Sequence, residues 1–294
     1  MTGTILLLTA VLMRIFSNPF GNVFQKQLTN KGIHPLIVNF LTYFLLSIAC
    51  LFIATFIDWP SLPRQFWFFS VLGGMAGTLG NGFLVRALQS GELSVLGPVN
   101  SYKSVIGIIG GIILLGEIPN LWGILGIGLI IFGSYFVLDT TEERFSRALL
   151  KKNEIQYRLW AMILTAIEAV FVKKVILASS TSIAFVSWCW FGAVFSFVLL
   201  SVYRLNLKEE TRVIGYWEIR RFIFLIICVG TMQYTTNYAF EHMPVGYALS
   251  LFQLSVIVSV LLGYRFFKEL DIRKKLLGSV IMVIGSVIII LLKK

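Results

Sequence analysis

The chain has 294 residues, of which 57% are hydrophobic and only 13% charged, and its mean hydropathy is +0.85. Ordinary globular domains hold about 45–50% apolar and about 25% charged residues, so this composition excludes a soluble fold and a disordered chain alike. In a soluble chain the net charge of +11 would point to nucleic acid; in one this apolar it poses the question of where the charges lie relative to a bilayer.

A membrane-crossing helix needs about 20 predominantly apolar residues. Ten segments qualify: 4–26, 35–57, 65–88, 94–115, 119–138, 158–178, 182–203, 217–240, 245–267 and 273–292. The first lacks a basic leader and a small-residue cleavage site, so it is read as a retained span. It carries Arg14, Asn18, Asn22 and Gln25 at steps of four, four and three, which places them on one stripe, and Pro19 loosens the helix beside them. Lipid does not accept such a stripe, so it lines a pathway or a neighbouring helix.

The third span holds Asn81 beside Gly73, Gly77 and Gly80, glycines suited to close helix contact. The fourth reads LGPVNSYKSVIGIIGGI. There Pro98 removes a backbone donor, and Asn100, Lys103, Gly107 and Gly111 share the face below it. Residues 139–157 form a polar linker that splits the chain five spans plus five, giving halves 1–138 and 158–294. The sixth span has Glu168 as its only central acid, read as a proton-coupling site or as a counter-ion to Arg14 or Lys103. Trp188 lies deep in the seventh span, as a substrate contact or in helix packing. Tyr234 and Asn237 in the eighth span and Gln253 in the ninth complete the substrate-facing set. Glu117 and Glu269 each precede a span, where orphan N–H groups await an acid, and are read as structural caps.

Cys50, Cys189 and Cys228 are isolated in apolar runs, no CxxC occurs, and the only histidines are His34 and His242, so neither a metal nor another cofactor is expected. No cluster suits an enzyme, and no phosphate-cradling loop suits an ATP-driven pump. Of the 25 basic residues, 18 fall in or beside the connections after odd-numbered spans, Lys26, Arg158 and Lys275 among them. The positive-inside rule makes that side cytoplasmic and puts both termini outside.

A shift of 152 residues lays Ala87 on Ala239, Gly111 on Gly263, Glu117 on Glu269, Gly126 on Gly278, Gly133 on Gly285 and Ser134 on Ser286. In both halves an apolar helix ends in an acid (LLGEIPN, FFKELDI) and a glycine-spaced helix follows (GILGIGLIIFGS, KLLGSVIMVIGS). Span 1 ends VFQKQL and span 6 ends FVKKVIL. Five spans per repeat is an odd number, so two copies enter the membrane in opposite senses, the inverted-repeat plan of transporters. The predicted fold is thus an all-α membrane protein of ten transmembrane helices in two inverted five-helix repeats.

Segment 83–138 resembles the repeat unit of the drug/metabolite transporter superfamily in its EamA-type ten-helix branch, and residues 236–292 resemble a second copy. The resemblance spans nearly the whole chain. One departure stands out: Pro98 of the first copy is matched by Ser250, so the second copy has no proline to break its helix. Members of the superfamily are often described with both termini cytoplasmic, opposite to the charge count. The resemblance implies movement of a small metabolite by alternating access in the inner cell membrane, and names no substrate. The midspan charges Arg14, Lys103 and Glu168 sum to +1, which suits an anionic or zwitterionic cargo of amino-acid or organic-acid type. The runner-up is a multidrug or cation exporter of the same fold. Expected partners are a small-molecule substrate, the bilayer and protons as coupling ion, not nucleic acid; oligomeric state is not set by the sequence.

Overall fold

The computed structural model describes residues 2–100, 102–103, 106, 120–138, 140, 151–243 and 245–291. Within them the chain is helical, with no strand. Helix α1 (Thr2–Thr29) leads to α2 (Pro35–Ala49), α3 (Arg64–Ser90), α4 (Leu93–Val99) and α5 (Leu121–Leu138). The second half holds α6 (Asn153–Leu177), α7 (Thr181–Val202), α8 (Tyr216–His242), α9 (Val245–Leu251), α10 (Ser255–Phe267) and α11 (Ile272–Leu291). Most of the 139–157 linker lies outside the described residues, as do Gly107, Gly111 and Glu117.

The helix starts follow local chemistry. Pro35 opens α2 at a position that needs no N–H, and the His34 ring accepts the Leu36 N–H at 3.2 Å. Ser180 caps α7 through the Ile183 N–H. At α8, Glu218 reaches back to the Gly215 N–H at 3.1 Å.

Among the described residues, three helices are long and apolar enough to cross a membrane: Thr4–Thr29, Arg64–Ser90 and Thr181–Val202. Others match expected spans but are interrupted. α2 ends at Ala49 rather than 57, followed by a short turn of helix at Leu51–Ala54. The ninth expected span is divided into α9, a 3₁₀ turn at Phe252–Leu254, and α10. This break occurs without a proline. Under the 152-residue shift it falls opposite Asn100, which caps the end of α4 two residues after Pro98. The repeat therefore preserves a break whose proline survives in one copy only.

Packing shows the same duplication. α3 packs on α6 as α8 packs on α1, while α2 meets α7, α4 meets α10 and α5 meets α11 across the halves. The α5–α11 crossing explains the repeated glycines. A Cβ on Gly133 would lie 2.6 Å from the Gly278 carbonyl, and one on Gly285 would lie 2.6 Å from the Gly126 carbonyl. The repeat exchanges these two contacts, so glycine at each position lets two backbones touch. Large side chains such as Phe52, Phe56, Leu177 and Trp217 stand outward, more than 60% exposed. A bilayer is the medium in which such a surface is stable.

Candidate functional site

Both helix breaks carry a cation beside them. α1 brings Arg14 to the second break, where its guanidinium lies 4.7 Å from the Phe252 ring centre. Its Nε donates to Thr236 Oγ1 on α8 at 2.8 Å, while its Nη1 is buried with no partner. A buried donor without an acceptor is costly, so this nitrogen is a place where an acceptor gains most. Lys103 follows the first break. Its N–H turns to the Asn100 carbonyl at 2.9 Å, a short-range bond of 3₁₀ type. Its ammonium interacts electrostatically with Glu168, Arg14 and Arg158.

Glu168 on α6 faces α3. Its Oε1 accepts the Trp188 indole N–H at 2.6 Å, and the carboxylate occupies the space that a side chain at Gly77 would fill. Trp188 in turn packs on Tyr43 at 4.7 Å between ring centres. Gly77 thus has a function beyond helix contact: it makes room for a carboxylate.

Arg158 corrects the charge map. Counted with the cytoplasmic-side charges, it is nevertheless 6% exposed and its Nε donates to the Leu96 carbonyl at 2.8 Å. That carbonyl is released because the Asn100 N–H, four residues on, bonds to Gly97 instead. Arg158 therefore occupies the acceptor that the Pro98 break leaves behind.

The α1 stripe below Arg14 lines a small cleft of about 20 Å³ between α1, α3 and α8. Ser17, Asn18, Asn22, Gln25 and Asn81 face it, together with Val229 and Met232. Ser17 Oγ and Gln25 Oε1 are buried there without partners. Asn81 also donates to Asn39, whose own amide donates to the Thr78 carbonyl at 3.2 Å. Asn39 is fully buried and was missed in the sequence, although it is the only carboxamide in its span.

The remaining expected residues lie apart. Asn237 is fully buried and takes a hydrogen bond from Gln233 at 2.9 Å. Gln253 donates to the Leu249 carbonyl at 2.9 Å, and its Oε1 is buried without a partner. Tyr234 is 41% exposed, with its hydroxyl beside Ser182, away from the cleft. Asn100 ends α4.

Glu269 caps a helix, but not the one it precedes. Its two oxygens accept the N–H groups of Leu93 and Ser94, both at 2.8 Å, at the start of α4 in the other half. Lys26 completes the arrangement, 3.0 Å from Glu269 and 2.7 Å from the Gly91 carbonyl at the end of α3. Burial works to raise the Glu269 pKa, but Lys26 and the bonds from Ser94 and Leu93 outweigh it and hold the carboxyl below its usual value. Lys26 and Lys275, both in the charge count, are thus buried; Lys275 pairs with Glu92.

Comparison with known proteins agrees with this geometry. The model of the EamA-like transporter family matches residues 1–139 and 154–291. One solved protein structure superposes with a TM-score of 0.69 over 99% of this chain and 97% of the other, at 16% identity, a likeness of fold alone. No curated protein sequence matches the chain.

Proposed function

Because this chain belongs to the EamA-like transporter family, we propose that it is a secondary transporter in the inner cell membrane, moving a small polar metabolite of amino-acid or organic-acid type by alternating access. The buried, unpartnered Nη1 of Arg14 carries this reading. It is a charged donor at a helix break, and the acceptor that fits it is a carboxylate or a similar anion.

Substrate binds through Arg14 and Lys103, with neutral contacts from Asn18, Asn22, Asn81 and Asn100 on the approach. Glu168 is the proton-coupling carboxylate. Its bond to Trp188 ties its charge state to the orientation of a ring that packs across the halves. The same acid beside aromatic rings is the feature that favours the second reading, an exporter of organic cations.

Purified protein in liposomes tests the two. Exchange of labelled amino or organic acids that falls at least about tenfold in Arg14→Gln, and loses its dependence on a proton gradient in Glu168→Gln, supports the first. Exchange confined to organic cations and unaffected by Arg14→Gln supports the second.

A further inference from the structure

The three cysteines are far apart in sequence, yet the fold brings two of them together. Cys50 Sγ donates a thiol hydrogen bond to Cys189 Sγ at 3.7 Å, although 139 positions separate them in the chain. Cys50 is 2% exposed and Cys189 fully buried, and both are free thiols. A disulfide needs its sulfurs at about 2.05 Å, so a further approach of ~1.7 Å would join them.

The seam around the pair holds it in register. On α2, Tyr43, Ser47 and Cys50 follow at steps of four and three and share one face. Ser47 Oγ donates to the Cys189 carbonyl at 2.9 Å. The Tyr43 ring fills the space that a side chain at Gly192 would take, and packs on Trp188. Cys50 stands where α2 gives way to the short helix Leu51–Ala54, so the remaining approach can come from a helix end while Cys189 stays in place within α7.

This seam joins the two halves, since α2 belongs to the first and α7 to the second. It also borders the acid: Trp188, the neighbour of Cys189, holds the Glu168 carboxylate. Both thiols lie toward the connections after even-numbered spans, Cys50 at the end of α2 and Cys189 about two turns into α7. The charge count puts that side outside the cell, where disulfides persist.

We propose that Cys50 and Cys189 are a redox pair, which a peroxide converts into a disulfide that staples α2 to α7 and arrests transport. One thiol attacks hydrogen peroxide, giving a sulfenic acid and water. The second thiol displaces the hydroxyl as another water and closes the S–S bond. The two sulfurs give up two electrons and two protons, and the peroxide oxygens take both. Peroxide is small and uncharged, so it reaches a buried thiol, and a partner already in contact traps the sulfenic acid before it oxidises further. The bond stands apart from the reading of the protein as a transporter. Its effect on transport rests on that reading, because alternating access needs the halves to move against each other.

The test treats the full chain in liposomes with hydrogen peroxide. The chain has three cysteines, so after denaturation N-ethylmaleimide adds three groups to the untreated protein and one to the oxidised. Peptide mass mapping finds Cys50 bonded to Cys189, while Cys228, on α8 beside Gly21, keeps its thiol. Exchange of labelled alanine or succinate falls at least about tenfold in the oxidised protein and returns with dithiothreitol. In detergent the melting temperature rises by about 4 °C or more, since the cross-link closes a long loop. Cys50→Ala and Cys189→Ala each lose every one of these responses, and either serves if the other does not fold. Three maleimides after peroxide, a bond that includes Cys228, or full exchange by the cross-linked protein overturns the proposal. If the untreated protein exchanges neither label, the transporter reading fails; adduct count and melting then decide the pair alone, and an unmoved melting temperature overturns it.

Discussion

The α3–α6 crossing and the α8–α1 crossing are equivalent under the repeat, yet one packs through a glycine face and the other through larger side chains. The motifs VFVK at 170–173 and VFQK at 23–26 align them residue by residue. On α3, Gly73 meets Phe171, Gly77 meets Glu168 and Gly80 meets Thr165, where a Cβ would lie 2.7 Å from the threonine methyl. The equivalent residues on α8 are Leu225, Val229 and Met232; there Phe24 of α1 stacks on Phe224, Gly21 meets Val229, and Asn18 shares the cleft with Met232. Val229 and Met232 hold α1 off, and the polar cleft opens beside them. One backbone plan, used twice, thus gives a carboxylate pressed into a glycine face on one side and a hydrogen-bonding cleft on the other. About three side chains decide whether each crossing holds an acid or a set of carboxamides.

The largest test of this comparison uses the lysines at matching ends of α1 and α6. Lys26 is buried against Glu269, whereas Lys173, its equivalent, reaches the Phe240 carbonyl with part of its chain in solvent. Lys26→Met leaves a buried carboxylate without its cation and is expected to cost about 3 kcal/mol. Lys173→Met loses a single hydrogen bond and is expected to cost about 1 kcal/mol or less. Thermal unfolding in detergent measures both, and equal losses would mean the two crossings are anchored alike.

Next in size is a transplant of side chains between crossings. Gly77→Val puts the α8 residue on α3 and displaces the Glu168 carboxylate from Trp188. A loss of about 1–3 kcal/mol is expected from overpacking, with proton-coupled transport impaired. Val229→Gly on the other side removes a buried core side chain and costs about 1–3 kcal/mol, but leaves Glu168 and its bond to Trp188 in place. If Gly77→Val leaves proton-coupled transport intact, the Glu168 crossing is not set by its glycines.

The smallest effect is a pH slope. The Glu269 pKa is depressed in the fold, so its contribution to stability is complete above the ordinary carboxyl value of about 4.3 and is lost as pH falls through the lower folded value. The melting temperature of the native chain should therefore decline in that acid window more steeply than that of Glu269→Gln. Parallel curves would remove Glu269 from the account.

What was legible in the sequence was periodic or costly. The repeat showed because α5 and α11 need glycine at fixed places, and Arg14, Lys103 and Glu168 showed because charge is rare in an apolar span. The break before Ser255 was not legible, since no proline marks it. Arg158 was misread because a cation at the edge of an apolar run looks the same whether it turns outward to water or inward to a freed carbonyl. Glu269 was assigned to its neighbour in sequence, whereas its partners lie 175 and 176 residues earlier. Such pairings depend on how the halves dock, which no local pattern encodes.

That last separation has a consequence for how the protein is made. Chains emerge at about 5–20 residues per second, so the start of α4 waits roughly 9 to 35 seconds between its own synthesis and that of the acid that caps it. Until then Lys26, too, lacks its anion. The first half must therefore be held in the membrane in a provisional state, with bare N–H groups and an unpaired lysine, and only the arrival of nearly the whole chain completes it. Truncation shortly before Glu269 should leave a product that inserts yet is cleared by quality control, although almost all of its apolar spans are present.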